Sequence, residues 1–525
     1  MPARGTLTSM ELRRHRVRAI AAVAVLLSTT AAPLTVSAAP PSAAPPPDPG
    51  LRTCSEVVPG FGDDVKKYQL SPELAAQLEC GFLDVPVDYA KPDGPTTRVA
   101  FSRLPASDPG RSRGVLMTHS GGPGGPSLTY PIELASRPIG EVVREYDTVS
   151  LDYRGLGKSD PYLCGAPPSE GTDDPTEARF RAEAAAKAAA NQAVARCQPD
   201  FTRTLTTPTI ARDIDRIRDR LKVDKVAFYG VSYGTVVGMT YRALFDDRVS
   251  RMWLDSPVDP EMTAAGAKRS DYDTDVMLRD KLLDELAAQN AAYGFGATAD
   301  DVRRTVLRLA DDAVRRIDAA SGAGPRADRT TVIDTIMSGR AIDAANDLLQ
   351  IRDGGLPSAL TSGKSDPATP APIPAPPATV DVAPGEGDTY LPIYCGFTAG
   401  GRDTDETWSQ YTRLQSEVPK DSLAAAPTYP STICLGWPYP ADRPDWGSIT
   451  SSSPLMLGGH RYERSTPYSW ATNAKKVLRG SLLTVNDGRH SGTIFTQCGA
   501  DRITQFLRGG DARDGECLTE EGKLQ

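Results

Sequence analysis

Residues 225–235 constrain the fold of this chain more than any other stretch. Val226-Ala227-Phe228-Tyr229 is a short apolar run of strand character, and it ends in the turn Gly230-Val231-Ser232-Tyr233-Gly234. Residues 236–245 are long and apolar enough for a buried helix. A strand, a Gly-x-Ser-x-Gly turn and a helix in succession present a serine at a sharp bend, with its hydroxyl projecting above the sheet edge. Gly230 and Gly234 carry no Cβ, so strand and helix can approach closely. The helix N-terminus points at the serine and favours negative charge developing there. On its own this spacing also fits a plain strand–helix turn; the flanking strand and helix favour a nucleophile.

The rest of the chain reads around this unit. Residues 80–89 begin a strand region, and 98–104 alternate as a strand does. Residues 114–118 are a buried strand running into His119-Ser120-Gly121-Gly122-Pro123-Gly124-Gly125-Pro126. A rigid loop with this many glycines exposes backbone N–H groups, the donors that an oxyanion needs in place before charge develops. A third strand, 146–151, ends in Asp152-Tyr153-Arg154-Gly155-Leu156-Gly157. An Ala-rich helix covers 175–197, and Ile210, Ile214, Ile217 and Leu221 keep helical spacing ahead of the serine strand. Residues 251–257 form the next strand. Strands alternating with helices predict a parallel sheet. The rhythm then changes: 261–350 read as helical, 365–386 carry seven prolines and read as a flexible excursion, and 387–450 read as irregular. Strands return at 454–459 and, as the last one, at 481–485. The expected division is an export signal at 1–38, a linker at 39–50, a core at 51–260 and 451–525, and an inserted cap at 261–450.

A serine nucleophile needs a base to take its proton and an acid to orient that base. The chain has four histidines: His15, His119, His460 and His490. His15 falls in the signal and His119 precedes the Gly loop. His490 follows the last strand directly, where a base belongs when the order is serine, acid, histidine. The acid belongs after the preceding strand. Between 451 and 485 the one carboxylate is Glu463, which otherwise reads as a surface group paired with Arg461 or Arg464. Asp255, at the end of the strand after the serine helix, is the alternative acid.

Four arginines ahead of an apolar run at 19–27, then Val36-Ser37-Ala38, have the layout of a cleaved export signal. The run is shorter than the roughly 20 residues a membrane span needs, so no stable membrane insertion is expected after cleavage. The formal charge of −8 argues against a nucleic-acid partner. Eight cysteines (Cys54, Cys80, Cys164, Cys197, Cys395, Cys434, Cys498 and Cys517) are an even set in an exported chain, so disulfides are expected, with about 105 possible connectivities. None has metal-ligand spacing; no metal or cofactor is expected.

Taken together, these residues resemble the secreted tripeptidyl aminopeptidases of actinobacteria, relatives of the prolyl aminopeptidases, over nearly all of the chain after the signal. Residues 121–125 are similar to that family's oxyanion loop, Asp152-Tyr153-Arg154-Gly155-Leu156-Gly157 to its D-x-R-G-x-G segment, and Gly230-Val231-Ser232-Tyr233-Gly234-Thr235 to its nucleophile motif. Glu463-Arg464-Ser465-Thr466-Pro467-Tyr468 lines up with its D-x-x-T-P-Y acid segment, and Gly488-Arg489-His490 with its histidine segment. The resemblance implies an α/β-hydrolase fold (α/β class) with a large, mainly helical cap. It also implies sequential disulfides: Cys54–Cys80, Cys164–Cys197, Cys395–Cys434 and Cys498–Cys517. The expected function is a secreted serine exopeptidase acting on short peptides with a free N-terminus. Ser232 is the nucleophile, His490 the base and Glu463 the acid; the N–H of Tyr233 and one from Gly121 or Gly122 form the oxyanion hole. Two departures stand out. Glu463 replaces the usual Asp, and Phe397 stands two residues after Cys395, where relatives often carry an acid for the substrate ammonium. Asp273 and Asp275 are candidates for that task. An esterase or amidase using the same triad is the alternative, and a non-catalytic binding fold a third.

Overall fold

The computed structural model describes residues 50–165, 176–321, 328–361, 388–419, 421–427, 429–450 and 453–518. The expected signal, its linker up to Pro49 and the proline-rich stretch 365–386 lie outside the described residues. The strands are β1 (Arg52–Thr53), β2 (Glu79–Pro86), β3 (Thr96–Leu104), β4 (Val115–His119), β5 (Asp147–Asp152), β6 (Val226–Val231), β7 (Val249–Asp255), β8 (Leu455–His460), β9 (Ser481–Val485) and β10 (Gly515–Cys517). They form one sheet in the order β1-β2-β3-β5-β4-β6-β7-β8-β9-β10. From β5 to β10 the pairing is parallel; β1, β2, β3 and β5 pair antiparallel.

The parallel strands are buried on both faces because their residues alternate between two cores. Val226 and Phe228 of β6 pack into the core on one face, and Ala227, Tyr229 and Val231 into the core on the other. Met252 and Leu254 of β7 oppose Trp253 in the same way. A sheet covered by helices on both faces leaves its strand ends as the accessible edge. From the adjacent strands β4 and β6 the chain leaves in opposite directions, to β5 and to β7, so a crevice opens at their C-terminal ends. The Gly loop follows β4 and Ser232 follows β6, which puts both at that crevice.

Three expectations need correction. Residues 387–450 are not irregular throughout: helices Tyr390–Phe397 and Thr404–Glu417 lie within them. Leu391, Ile393, Cys395 and Phe397 sit i, i+2, i+4 and i+6 apart, which masks a helical period, but every one of them is buried in the main core. The inserted stretch is also not one unit. Helices between Ala264 and Arg352 pack around their own core, built on Leu283, Val306, Ile333 and Leu348, while 391–397, Cys434 and Trp437 share the core of the sheet. Finally, 481–485 is not the last strand. Gly515–Cys517 pairs with β9 in parallel, and three residues of mixed polarity carry no strand period. The cysteines join Cys54–Cys80, Cys164–Cys197, Cys395–Cys434 and Cys498–Cys517.

Candidate active site

Ser232 links β6 to the helix Tyr233–Leu244 with φ 55° and ψ −126°. A non-glycine residue held there costs about 1–3 kcal/mol and persists when its surroundings over-determine it. Here the surroundings are very tight. A Cβ on Gly230 would lie 2.4 Å from the Gly234 carbonyl oxygen, and one on Gly234 would lie 2.5 Å from the His119 carbonyl oxygen. The two glycines are therefore steric requirements of the turn. The Ser232 N–H donates to the Asp255 carbonyl at 3.0 Å, which pins the turn to β7.

The Gly loop lies directly across from Ser232. The N–H of Gly121 is taken by His119 Nδ1 at 3.1 Å, so of the two expected loop donors Gly122 is the one left for a ligand. Gly122 and Ser232 line the same cavity. Burial pushes the His119 imidazole down to about 4, so it is neutral and able to accept that bond. Tyr233 opens its helix, where helix geometry leaves its N–H without an intrahelical acceptor. Asp152 holds the loop from behind, accepting the N–H groups of Ser127, Leu128 and Lys158 at 2.7, 2.9 and 2.9 Å. Arg154, two residues on, is fully buried against Asp213.

Glu463 is 1% exposed, not a surface group. Arg461 instead pairs with Glu516, and Arg464 with Asp275. One Glu463 oxygen accepts the Thr466 N–H at 3.1 Å and its hydroxyl at 2.6 Å, and meets His490 Nδ1. The other accepts the Ser256 hydroxyl at 2.8 Å. Asp255, the alternative acid, does not face His490. It is buried against His460 Nε2 at 3.2 Å and the Thr493 hydroxyl at 2.5 Å. The His490 side chain is 38% exposed. Among the described residues its ring is not hydrogen-bonded to Ser232. Catalytic bonds of unliganded hydrolases are often long in this way. Ser256, His460 and Asp487 went unassigned from the sequence. A serine after a strand carries no signal, and the partners of His460 are 27 and 205 residues away.

The cavity at Ser232 has a volume of about 160 Å³ and a largely apolar lining that includes Val258, Met262, Ile393, Phe397 and Trp470. A second cavity of about 640 Å³ opens on the other side of the Gly loop, from Gly124 to Asp388. Asp273 and Asp275 line neither cavity. They are paired with Arg269 at 2.8 Å, and with Arg279 and Arg464 at 2.8 and 3.0 Å. Among the described residues no cluster of His, Cys, Asp and Glu is placed to hold a metal ion, and no helix is long and apolar enough to cross a membrane.

A serine on a strained strand–helix turn beside a loop of backbone donors, on a mostly parallel sheet, makes the protein a serine hydrolase of the α/β-hydrolase class. Comparison with known families agrees. Residues 114–373 match the α/β-hydrolase fold family and residues 422–517 the TAP-like protein family. The chain is an α/β-hydrolase, and over most of its length it is similar to tripeptidyl aminopeptidases. It is 29% identical over 464 residues to a tripeptidyl aminopeptidase of Streptomyces coelicolor, covering 85% of this chain and 84% of that one. It is 28% identical over 463 residues to the serine protease Hip1 of Mycobacterium tuberculosis, covering 82% and 85%. A shorter match, 26% over 193 residues, covers 35% of this chain and 37% of a carboxylesterase B of the same species.

Proposed function

We propose that the protein is an exported serine exopeptidase that cuts peptides near a free N-terminus with a Ser232–Glu463–His490 triad. The observation that carries this reading is the hydrogen bond from His490 to Glu463, a buried carboxylate that also accepts from Thr466, which lines the cavity with Ser232. Ser232 Oγ attacks the carbonyl carbon and its proton passes to His490 Nε2. Glu463 orients the ring and stabilises the imidazolium. The N–H groups of Tyr233 and Gly122 hold the oxyanion. The C–N bond breaks as His490 protonates the leaving amine; water, activated by the same histidine, then releases the acyl group. None of these steps calls for a metal or cofactor. The relatives matched over most of the chain are named as peptidases, which favours an amide bond. Four disulfides favour an oxidising, extracellular setting.

We place the substrate ammonium at Asp388. It borders the larger cavity two residues from Tyr390, which lines the Ser232 cavity, and it makes no ion pair among the described residues. An ammonium in a partly desolvated site costs several kcal/mol without such a partner. The second reading is an esterase or amidase on small non-peptide substrates, favoured by the apolar lining and Phe397. Chromogenic mono-, di- and tripeptide amides, their N-acetyl forms and short-chain esters separate the two. Acetylation is expected to lower kcat/KM at least about 10²-fold, and Ser232→Ala to remove about 10⁴-fold or more of kcat on every substrate. Equal rates on free and acetylated peptides, or esters cleaved and peptides not, would give the case to the second reading.

A further inference from the structure

Behind Glu463 and His490 lies a group of ionisable side chains that the reaction above does not use. Asp255 ends β7, His460 ends β8, and Asp487 stands in the loop after β9. All three are buried. His460 Nδ1 is 2.5 Å from Asp487 Oδ1, and Nε2 is 3.2 Å from Asp255 Oδ1. Thr493 donates its hydroxyl to Asp255 at 2.5 Å and its N–H at 3.3 Å, and the Arg489 N–H reaches Asp487 at 3.4 Å. A carboxylate at each ring nitrogen, with the Thr493 hydroxyl also 3.2 Å from Nε2, favours a proton on both nitrogens and an imidazolium at His460.

Each member stands a short step from the candidate site. His460 precedes Glu463 by three residues, and Asp487 precedes His490 by three. The Asp255 carbonyl accepts the Ser232 N–H. Its neighbour Ser256 is buried at φ 51°, a left-handed conformation unusual for serine. That conformation lets one hydroxyl donate to Glu463 Oε2 at 2.8 Å and accept the Ser491 N–H at 2.8 Å, beside His490.

We propose that His460 is a positioning residue. Clamped between Asp255 and Asp487, its ring sets the spacing of the loops that carry Glu463 and His490, and Ser256 is the strut from that clamp onto Glu463. The proposal rests on the triad reading. A glutamate has one more side-chain torsion than an aspartate, so its oxygens orient a base only if both its side chain and its loop are held. Without the cation, two buried carboxylates would face the uncharged ring from both sides, with nothing to draw together the ends of β7, β8 and the loop after β9. Burial by itself would lower the imidazole pKa; hydrogen bonds to Asp255 and Asp487, and their charges, outweigh it and push the ring up to about 10. The buried phenols of Tyr130 and Tyr229 also lie in the field of Asp255; burial raises both far above their usual range, so they stay neutral.

Two variants of the full chain test the clamp. His460→Gln should lower kcat at least about tenfold with KM within about twofold, and slow fluorophosphonate labelling of Ser232 in parallel. Asp487→Asn keeps a hydrogen-bond acceptor and removes a charge, so the ring gives up its proton at lower pH. The alkaline limb of kcat should move acidward by about one pH unit or more, which a residue that merely fills the core would not cause. A His460→Gln enzyme with kcat within twofold of the parent, or an unmoved alkaline limb in Asp487→Asn, overturns the proposal; if His460→Gln does not fold, Asp487→Asn decides alone. A parent enzyme that fails to label sinks the triad reading itself, whereas a labelled parent with indifferent variants sinks only the clamp.

Discussion

Glu463 shows what one methylene changes. A glutamate reaches further than an aspartate, and the structure uses that reach to set one carboxylate against Thr466, Ser256 and His490 together. Glu463→Gln keeps the shape and loses the charge that, in the proposed triad, stabilises the imidazolium. Its kcat should fall roughly 10³–10⁴-fold, the range expected for neutralising a triad acid. Glu463→Asp keeps the charge and retreats by roughly 1.5 Å, one C–C bond. It cannot hold both Ser256 and His490, and should lose about 10²-fold, the scale of a 1 Å misplacement. Asp255→Asn should retain at least about tenfold more kcat than Glu463→Gln, because Asp255 reaches the reaction only through the clamp. Steady-state kinetics on the three variants decide the order; a reversed ranking of Asp255→Asn and Glu463→Gln would move the acid to Asp255.

At the scale of elements, the site is a set of strand ends brought to one edge. Gly234 lets the serine helix pass the end of β4, since a Cβ there would meet the His119 carbonyl oxygen and carbon at 2.5 and 3.1 Å. Gly234→Ala must push the Gly loop away from Ser232. We expect a stability loss of about 1–3 kcal/mol in denaturant titration, and an activity loss larger than the unfolded fraction explains. The ends of β7, β8 and β9 are joined by His460. Its raised pKa means that the stability it contributes is fully present below its ordinary value of 6.5 and is lost as pH rises through about 10. Denaturant unfolding at pH 7, 8.5 and 10 should show that decline in the parent protein and a flatter one in His460→Gln. Equal slopes would mean that His460 is not charged in the folded protein.

At the scale of the molecule, four disulfides bridge sequence separations of 26, 33, 39 and 19 residues. Each ties a segment with little sheet of its own to the main body: the start at Cys54 to β2, the region after β5 to the end of the Ala-rich helix, 395 to 434, and the last helix to β10. Cross-links of this span commonly contribute about 2–5 kcal/mol each. Reduction should therefore lower the denaturation midpoint well below that of the oxidised protein. An unchanged midpoint with all eight thiols titrated free would show that the packed cores suffice alone. The helical core around Leu283 and Leu348 takes, among the described residues, only Leu423 from a cross-linked segment, and reduction should leave most of its packing intact.

The sequence by itself determined the elements that depend on local pattern. The alternation of β6, the glycines at 230 and 234 and the serine between them could be read because strand period and turn sterics act within a few residues. The order serine, acid, histidine likewise narrowed the candidates to His490 and to Glu463, with Asp255 as the alternative acid, since so few carboxylates and histidines lie in the right intervals. What only the tertiary structure decided is everything that depends on distant segments meeting. Nothing local in Asp255, His460 and Asp487 says that strands 205 residues apart in the chain bring them together. Nothing in 391–397 says that this helix belongs to the sheet's core. Glu463 lies among arginines that would suit it at the surface, and only the burial of its loop sends them elsewhere. Periodicity and backbone sterics act between neighbours in the chain, whereas burial and charge pairing act between neighbours in space, which only the folded sheet defines.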